Sequence, residues 1–164
     1  MRRLILMRHA EAEASSARGD IGRGLTARGV EEAQAVGKAL FERGARPDLA
    51  LVSSAERAHQ TWEAASAWFG DAEVELDPEI YNASAEVLRD AVAAAADRAA
   101  TLMVIGHNPG VHQFAAELMM EQAASPASPD RITGGFPPGA AVIYAIDENG
   151  RPTYESFINP DDLP

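Results

Sequence analysis

Leu4-Ile5-Leu6-Met7-Arg8-His9 decides how this chain is read: four apolar residues in a row pass directly into two cation-capable side chains. A short apolar run bounded by polar residues is the mark of a strand buried on both faces, and such strands belong to sheets covered by helices. Leu49-Ala50-Leu51-Val52, Leu102-Met103-Val104-Ile105 and Ala141-Val142-Ile143-Tyr144 repeat the pattern, and Val74 to Leu76 is a shorter candidate. Helical patterns lie between them. Val30, Ala33, Gly37, Leu40 and Phe41 share one face, as do Ala58, Trp62, Ala65 and Phe69. Val111, Phe114, Ala115, Leu118 and Met119 follow the same spacing, and the Ala-rich stretch from Ser84 to Ala100 is a strong helix former with Ser84 as its cap. Strands alternating with helices predict an α/β fold with a mostly parallel central sheet covered on both faces, because parallel neighbours need crossover connections.

The chain has 164 residues, the length of one domain, and a single domain over 1–164 is expected. Ser125 to Asp130 and Gly134-Gly135-Phe136-Pro137-Pro138-Gly139 read as loops too short to separate domains. Cysteine is absent, so disulfides, thiolate metal sites and cysteine nucleophiles are excluded. The apolar run Leu4 to Met7 is too short for an export signal or a membrane span, so a cytoplasmic protein with no membrane partner is expected. Acidic residues number 25 against 14 basic ones, a net charge of −11 that repels nucleic acid. Any anion site must therefore be locally basic.

Three predicted strand ends carry such residues. The first runs into Arg8 and His9, the second ends at Ser53 and is followed by Arg57, and the run Leu102 to Ile105 leads into Gly106 and His107. In open parallel sheets ligands bind outside the carboxyl ends of the strands, so residues far apart in sequence can converge there. Two guanidinium forks match phosphate oxygens, and two imidazoles can serve as nucleophile and hydrogen-bond donor. The ligand these side chains predict is a phosphoryl group.

Leu6-Met7-Arg8-His9, Ser53-Ser54-Ala55-Glu56-Arg57-Ala58-His59-Gln60-Thr61 and Gly106-His107-Asn108-Pro109-Gly110 resemble, in this order, the three signature segments of the histidine phosphatase superfamily. Gly24-Leu25-Thr26-Ala27-Arg28-Gly29 is similar to that family's turn into its first helix, so the resemblance spans nearly the whole chain. The compact length, the Arg-His-Ala opening and Gly106 to Gly110 look most like the SixA-type phosphohistidine phosphatase branch. The resemblance implies a phosphoglycerate mutase-like three-layer α/β/α sandwich and a phosphatase that uses no metal or cofactor. It also implies that His9 attacks phosphorus and becomes a phosphohistidine, with Arg8, Arg57 and His107 holding the equatorial oxygens. Arg23 stands where relatives of this branch often carry an arginine, at the substrate rim. Glu79 falls in the region where the wider superfamily places an acid for ester cleavage, but Glu79-Ile80-Tyr81-Asn82-Ala83-Ser84 lacks the family's ester-cleaving context. Imidazole leaves without much help, so the expected substrate is phosphohistidine on a protein.

Rival readings remain for each segment. A phosphatase of small phosphate esters, such as a sugar phosphate or nucleotide, would use Glu79 as its acid. A catalytically silent phosphoprotein-binding module would keep the anion pocket and turn nothing over. Arg57 could lie on the exposed face of its helix, yet a positive charge in the first turn opposes the helix dipole and calls for a compensating anion. His107 could sit in an ordinary strand-to-helix turn, satisfied by a carbonyl, with Pro109 starting the helix. A metal centre of His9, His59, His107 and His112 lacks the spacing of known motifs, so no metal is expected and His59 and His112 are read as peripheral. Glu11 and Glu13 read as solvated, the Gly134 to Gly139 segment as a turn rather than a site loop, and the Ala-rich helix as core packing.

Overall fold

The computed structural model describes residues 1–122, 132 and 134–164; the loop expected at Ser125 to Asp130 lies outside them. Among these residues six strands form one sheet: β1 (Arg3–Arg8), β2 (Leu49–Ser53), β3 (Glu73–Asp77), β4 (Thr101–Gly106), β5 (Ala141–Ile146) and β6 (Pro152–Ile158). Their order is β3-β2-β4-β1-β5-β6. β3, β2, β4 and β1 run parallel to their neighbours, while β5 and β6 are antiparallel additions on the β1 side. Among the described residues four α-helices connect them: α1 (Ala27–Glu42), α2 (Glu56–Ala65), α3 (Ala85–Ala95) and α4 (Gly110–Met120). None of the described helices is long and apolar enough to cross a membrane.

Strand alternation sorts the core into two layers. Ile5, Met7, Ala50, Val52, Met103 and Ile105 face α1 and α2, where Val36, Leu40, Ala58 and Trp62 meet them. Leu4, Leu6, Leu49, Leu51, Leu102 and Val104 face α3 and α4, against Leu88, Val92, Phe114 and Leu118. Helices on both faces make the predicted three layers, and each fully buried leucine in them contributes roughly 1.5–3 kcal/mol. The helix starts also follow the sequence. Thr26 caps α1 by accepting from Gly29 N, and Ser84 caps α3 by accepting from Val87 N.

Three elements differ from the sequence reading. Phe41 is 45% exposed and leans on Trp68, with ring centroids 6.1 Å apart, instead of facing the core. α2 stops at Ala65 and a 3₁₀ turn, Ser66–Trp68, carries the chain so that Phe69 is still buried. β3 is an edge strand with Val74 and Leu76 exposed, and β6, its counterpart at the other edge, has no apolar run to announce it. Edge strands need apolar residues on one face at most, which removes the signal used for the central strands.

Candidate active site

Four strand-end side chains meet because β4 lies between β1 and β2. Arg8 pairs with Gly106 across β1 and β4, and His9 N donates to Gly106 O at 3.0 Å, which sets His9 and His107 side by side. Their rings lie 5.2 Å apart, centroid to centroid. On the other side of β4, His107 Nε2 lies 2.7 Å from the hydroxyl of Ser53 at the end of β2. Arg57, in the first turn of α2, completes the set. His9, Arg57 and His107 are buried, with 8%, 3% and 5% exposure, although all three are polar.

What these side chains lack is more telling than what they hold. Arg8 Nη1 donates to Phe136 O at 3.1 Å, and Arg57 donates from Nη1 to Asp20 O at 2.9 Å and from Nη2 to Asp20 Oδ2 at 3.2 Å. Each arginine is thus anchored by its far end, while Arg8 Nε, Arg57 Nε and His107 Nδ1 are buried without a partner. A buried donor left unpaired costs about 1–3 kcal/mol. Two such donors with an unpartnered ring nitrogen beside them describe a site completed by an acceptor-rich ligand, and an oxyanion has the oxygens to meet them.

Electrostatics separates the histidines from the arginines. Burial, opposed by the bond to Ala10 O and reinforced by His107 and the two arginines, lowers His9 to about 3. Burial, followed by Arg57, lowers His107 to about 4, with Asp20 pulling the other way. Both rings are neutral at pH 7. His9 Nδ1 lies 2.8 Å from Ala10 O, an acceptor only, so the single ring proton sits on Nδ1 and Nε2 carries a free lone pair. That carbonyl is itself positioned, because Ala10 N donates to Thr61 Oγ1 at 3.0 Å and Thr61 donates to Arg57 O at 2.7 Å.

Asp20 forms the rim. Its carboxylate accepts from Arg57, from Arg23 Nε at 3.0 Å and from the Tyr81 hydroxyl at 2.5 Å. The Tyr81 bond, with the Arg23 and Arg57 contacts behind it, holds the Asp20 carboxyl down at about 2. Tyr81 in turn sets its ring edge-on to His107, 5.6 Å away. Arg23 therefore reaches the site through Asp20, with its Nη1 also fixed on Glu13 O at 2.7 Å. Glu79 is exposed and lines a groove with Glu75, Asp77, Val87, Asp90 and Arg98, to which His9, Arg57 and His107 do not contribute.

The Gly134 to Gly139 segment, read as a turn outside the site, belongs to its wall. Phe136 O accepts from both Arg8 and Asn108 Nδ2, and Gly139 N donates to Arg8 O and His9 O. Gly139 has φ +79°, a conformation that glycine adopts without strain, and this bends the loop back over the end of β1. Glu11, read as solvated, accepts from the Thr26 hydroxyl at 2.9 Å and so ties the nucleophile loop to the cap of α1. His59 pairs with Glu63, and His112 Nε2 lies 2.6 Å from Ile132 O. Asp20, Tyr81 and Thr61 were missed as site residues. The one advance signal for Asp20 was an opposite charge three residues before Arg23 in a glycine-bounded turn.

Residues 4–122 match the histidine phosphatase superfamily (branch 1). An uncharacterized protein of Mycobacterium tuberculosis is 30% identical over 140 residues, which cover 85% of this chain and 87% of that one. A candidate phosphohistidine phosphatase SixA of Agrobacterium tumefaciens superimposes with a TM-score of 0.83 at 28% identity, over 97% of this chain and 98% of that chain. A protein histidine phosphatase SixA in complex with tungstate gives 0.79 at 25% identity, over 98% of each chain. The fold is phosphoglycerate mutase-like. By this match, over most of its length, the chain belongs to the histidine phosphatase superfamily, and phosphatase chemistry is what that membership supports.

Proposed function

We propose that this protein removes the phosphoryl group from phosphohistidine on another protein through a covalent intermediate on His9. The observation that carries the reading is the set of three buried, unpartnered nitrogens, Arg8 Nε, Arg57 Nε and His107 Nδ1, beside the free Nε2 of a neutral His9. The Nε2 lone pair attacks phosphorus in line, and the bond from phosphorus to the substrate nitrogen breaks with its electrons returning to a substrate ring that carries a proton on its other nitrogen and so departs as neutral imidazole. The His9 ring then carries positive charge, which the Nδ1–H donates toward Ala10 O. Water attacks the same phosphorus, the bond to Nε2 breaks, one water proton passes to solvent, and inorganic phosphate leaves a neutral His9. Arg8, Arg57 and His107 hold the equatorial oxygens through both steps, and the guanidinium charges let the steps run without a metal or other cofactor.

The leaving group decides between phosphohistidine and an ester. An alkoxide needs a proton as it departs, and the acid available must be protonated near neutrality. Asp20, the carboxyl at the rim, is ionised, and Glu79 lines another groove. An imidazole leaving group makes no such demand on the protein. A relative of 25% identity that is named a protein histidine phosphatase supports the same substrate.

The test is phosphate release from a phosphohistidine peptide and from a phosphoserine or sugar-phosphate ester, run side by side in excess chelator. Release from phosphohistidine, lost in His9→Ala and unchanged in Glu79→Gln, is the expected result. Preference for the ester with loss of activity in Glu79→Gln would overturn the substrate assignment. Phosphate binding with no turnover and no acid-labile label would make the protein a binding module.

A further inference from the structure

Ser53 is buried completely at the end of β2, next to a histidine whose other nitrogen has no partner. Its oxygen has two neighbours among the described residues. Ala55 N donates to it at 3.2 Å, and His107 Nε2 lies 2.7 Å away. Two proton arrangements fit these distances. In the first, the Ser53 hydroxyl donates to Nε2 and the ring proton of the neutral His107 sits on Nδ1. In the second, Nε2–H donates to Ser53, which leaves a hydroxyl hydrogen without an acceptor and an Nδ1 lone pair buried beside two guanidinium groups and the expected phosphoryl oxygens.

Counting donors and acceptors chooses between them. The first arrangement satisfies the hydroxyl as donor to Nε2 and as acceptor from Ala55, and it leaves over one group, Nδ1–H, which is what a phosphoryl oxygen needs. The second leaves both a hydroxyl hydrogen and a ring lone pair without a partner at buried atoms, and it aims a lone pair at an anion. We propose that Ser53 is a positioning residue that fixes the tautomer of His107, its hydroxyl donating to Nε2 so that the single ring proton stays on Nδ1. Ala55, whose N–H occupies one lone pair of the hydroxyl oxygen, orients it for this task. The inference rests on the phosphatase reading only in assigning the Nδ1–H to a phosphoryl oxygen; the tautomer itself follows from the free protein.

Nitrogen-15 NMR of the histidine rings in the intact protein at pH 7, with His107 assigned through His107→Gln, reads the tautomer directly. The expected spectrum has a protonated, pyrrole-type Nδ1 and an unprotonated, pyridine-type Nε2 for His107. A protonated Nε2 in the wild-type protein overturns the proposal, whatever the enzyme does with substrate. Ser53→Ala is expected to move the ring toward the Nε2–H form and to lower kcat on a phosphohistidine peptide at least tenfold with KM changed less than threefold. Ser53→Thr, which keeps the hydroxyl, is expected to restore both the spectrum and kcat to within about threefold. An unshifted His107 spectrum in folded Ser53→Ala overturns the role of Ser53. A wild-type protein with the Nδ1–H tautomer that turns over no phosphorylated substrate would instead count against the phosphatase reading alone.

Discussion

Thr61→Val tests the claim that the nucleophile is held from the second turn of α2. Threonine and valine differ by a hydroxyl for a methyl, and Thr61 is completely buried, so shape is kept and two hydrogen bonds are lost. Arg57 O gives up the donor at 2.7 Å but keeps its helical partner four residues on. Ala10 N, 3.0 Å from Thr61 Oγ1, has no such reserve and becomes a buried donor without an acceptor. That costs about 1–3 kcal/mol, or a melting temperature lower by roughly 4–8 °C at the middle of that range for a chain of this size. The loss also reaches the chemistry. Ala10 O, on the other side of the same residue, is the acceptor that keeps the proton on His9 Nδ1 and the ring pointed at its target. A displacement of a few tenths of an ångström there should lower kcat about tenfold, because reacting groups lose rate steeply with misplacement. Thermal melting and phosphohistidine-peptide turnover read the two effects, and Thr61→Ser, which keeps the hydroxyl, should retain most of both. A Thr61→Val protein that melts within 1 °C of wild type and turns over within about twofold would refute the chain of bonds as a positioning device.

Acid should destabilise the free protein well above the range where carboxylates titrate. His9 and His107 are held at about 3 and about 4 in the folded state, against an unfolded value near 6.5. The unfolded chain therefore binds more protons between pH 6.5 and 4, so stability falls as pH drops through that window, on the order of 2 kcal/mol per ring by pH 5. Denaturant unfolding at pH 7 and pH 5 measures the loss, and two rings that titrate near 6.5 by NMR would refute its cause. Arg57→Lys keeps a charge but cannot hold Asp20 with two nitrogens while presenting a third, and a roughly hundredfold lower kcat/KM on phosphohistidine peptide is expected. Activity within tenfold would argue that charge alone suffices. Gly110→Ala would place a Cβ 2.0 Å from Ala83 O, a backbone clash at the start of α4. It should cost about 1–3 kcal/mol, read as a lower denaturant midpoint, and an unchanged midpoint would show that the two segments separate freely.

The central strands and the residues that end them were legible because a parallel sheet writes both into the sequence. A strand buried on both faces must be apolar throughout, and a side chain at its carboxyl end must be polar to meet ligand, so Met7-Arg8-His9 and Ile105-Gly106-His107 announce themselves. β6 had no such run because Thr153, Glu155 and Ser156 interrupt its apolar residues, with Glu155 reaching Arg3. Asp20, Tyr81 and Phe136 escaped for a different reason. They act through contacts spanning 37, 61 and 128 residues of sequence; the charge of Asp20 three residues before Arg23 is a weak local mark, and nothing in Phe136-Pro137 differs from an ordinary loop. Phe136 contributes a carbonyl, which every residue has, so no side-chain pattern could have marked it.

The same division explains how an acidic protein can hold a phosphate site. The net charge of −11 sets the average field against an anion, and the site overcomes it at short range with two guanidinium groups beside two neutral histidines. Charging either histidine would strengthen binding of the dianion but would remove the lone pair from His9 or force a second proton onto His107 in a buried pocket. Burial prevents both, and the same burial strengthens the hydrogen bonds that Arg8 and Arg57 can make to an oxyanion, since little water competes for them. Asp20 sits at the exposed edge of this arrangement, where its negative charge fixes the far end of Arg57 and only partly offsets the lowering of His107. The site therefore separates its two tasks by depth: charge that orients lies at the rim, and groups that must stay neutral to react lie beneath it.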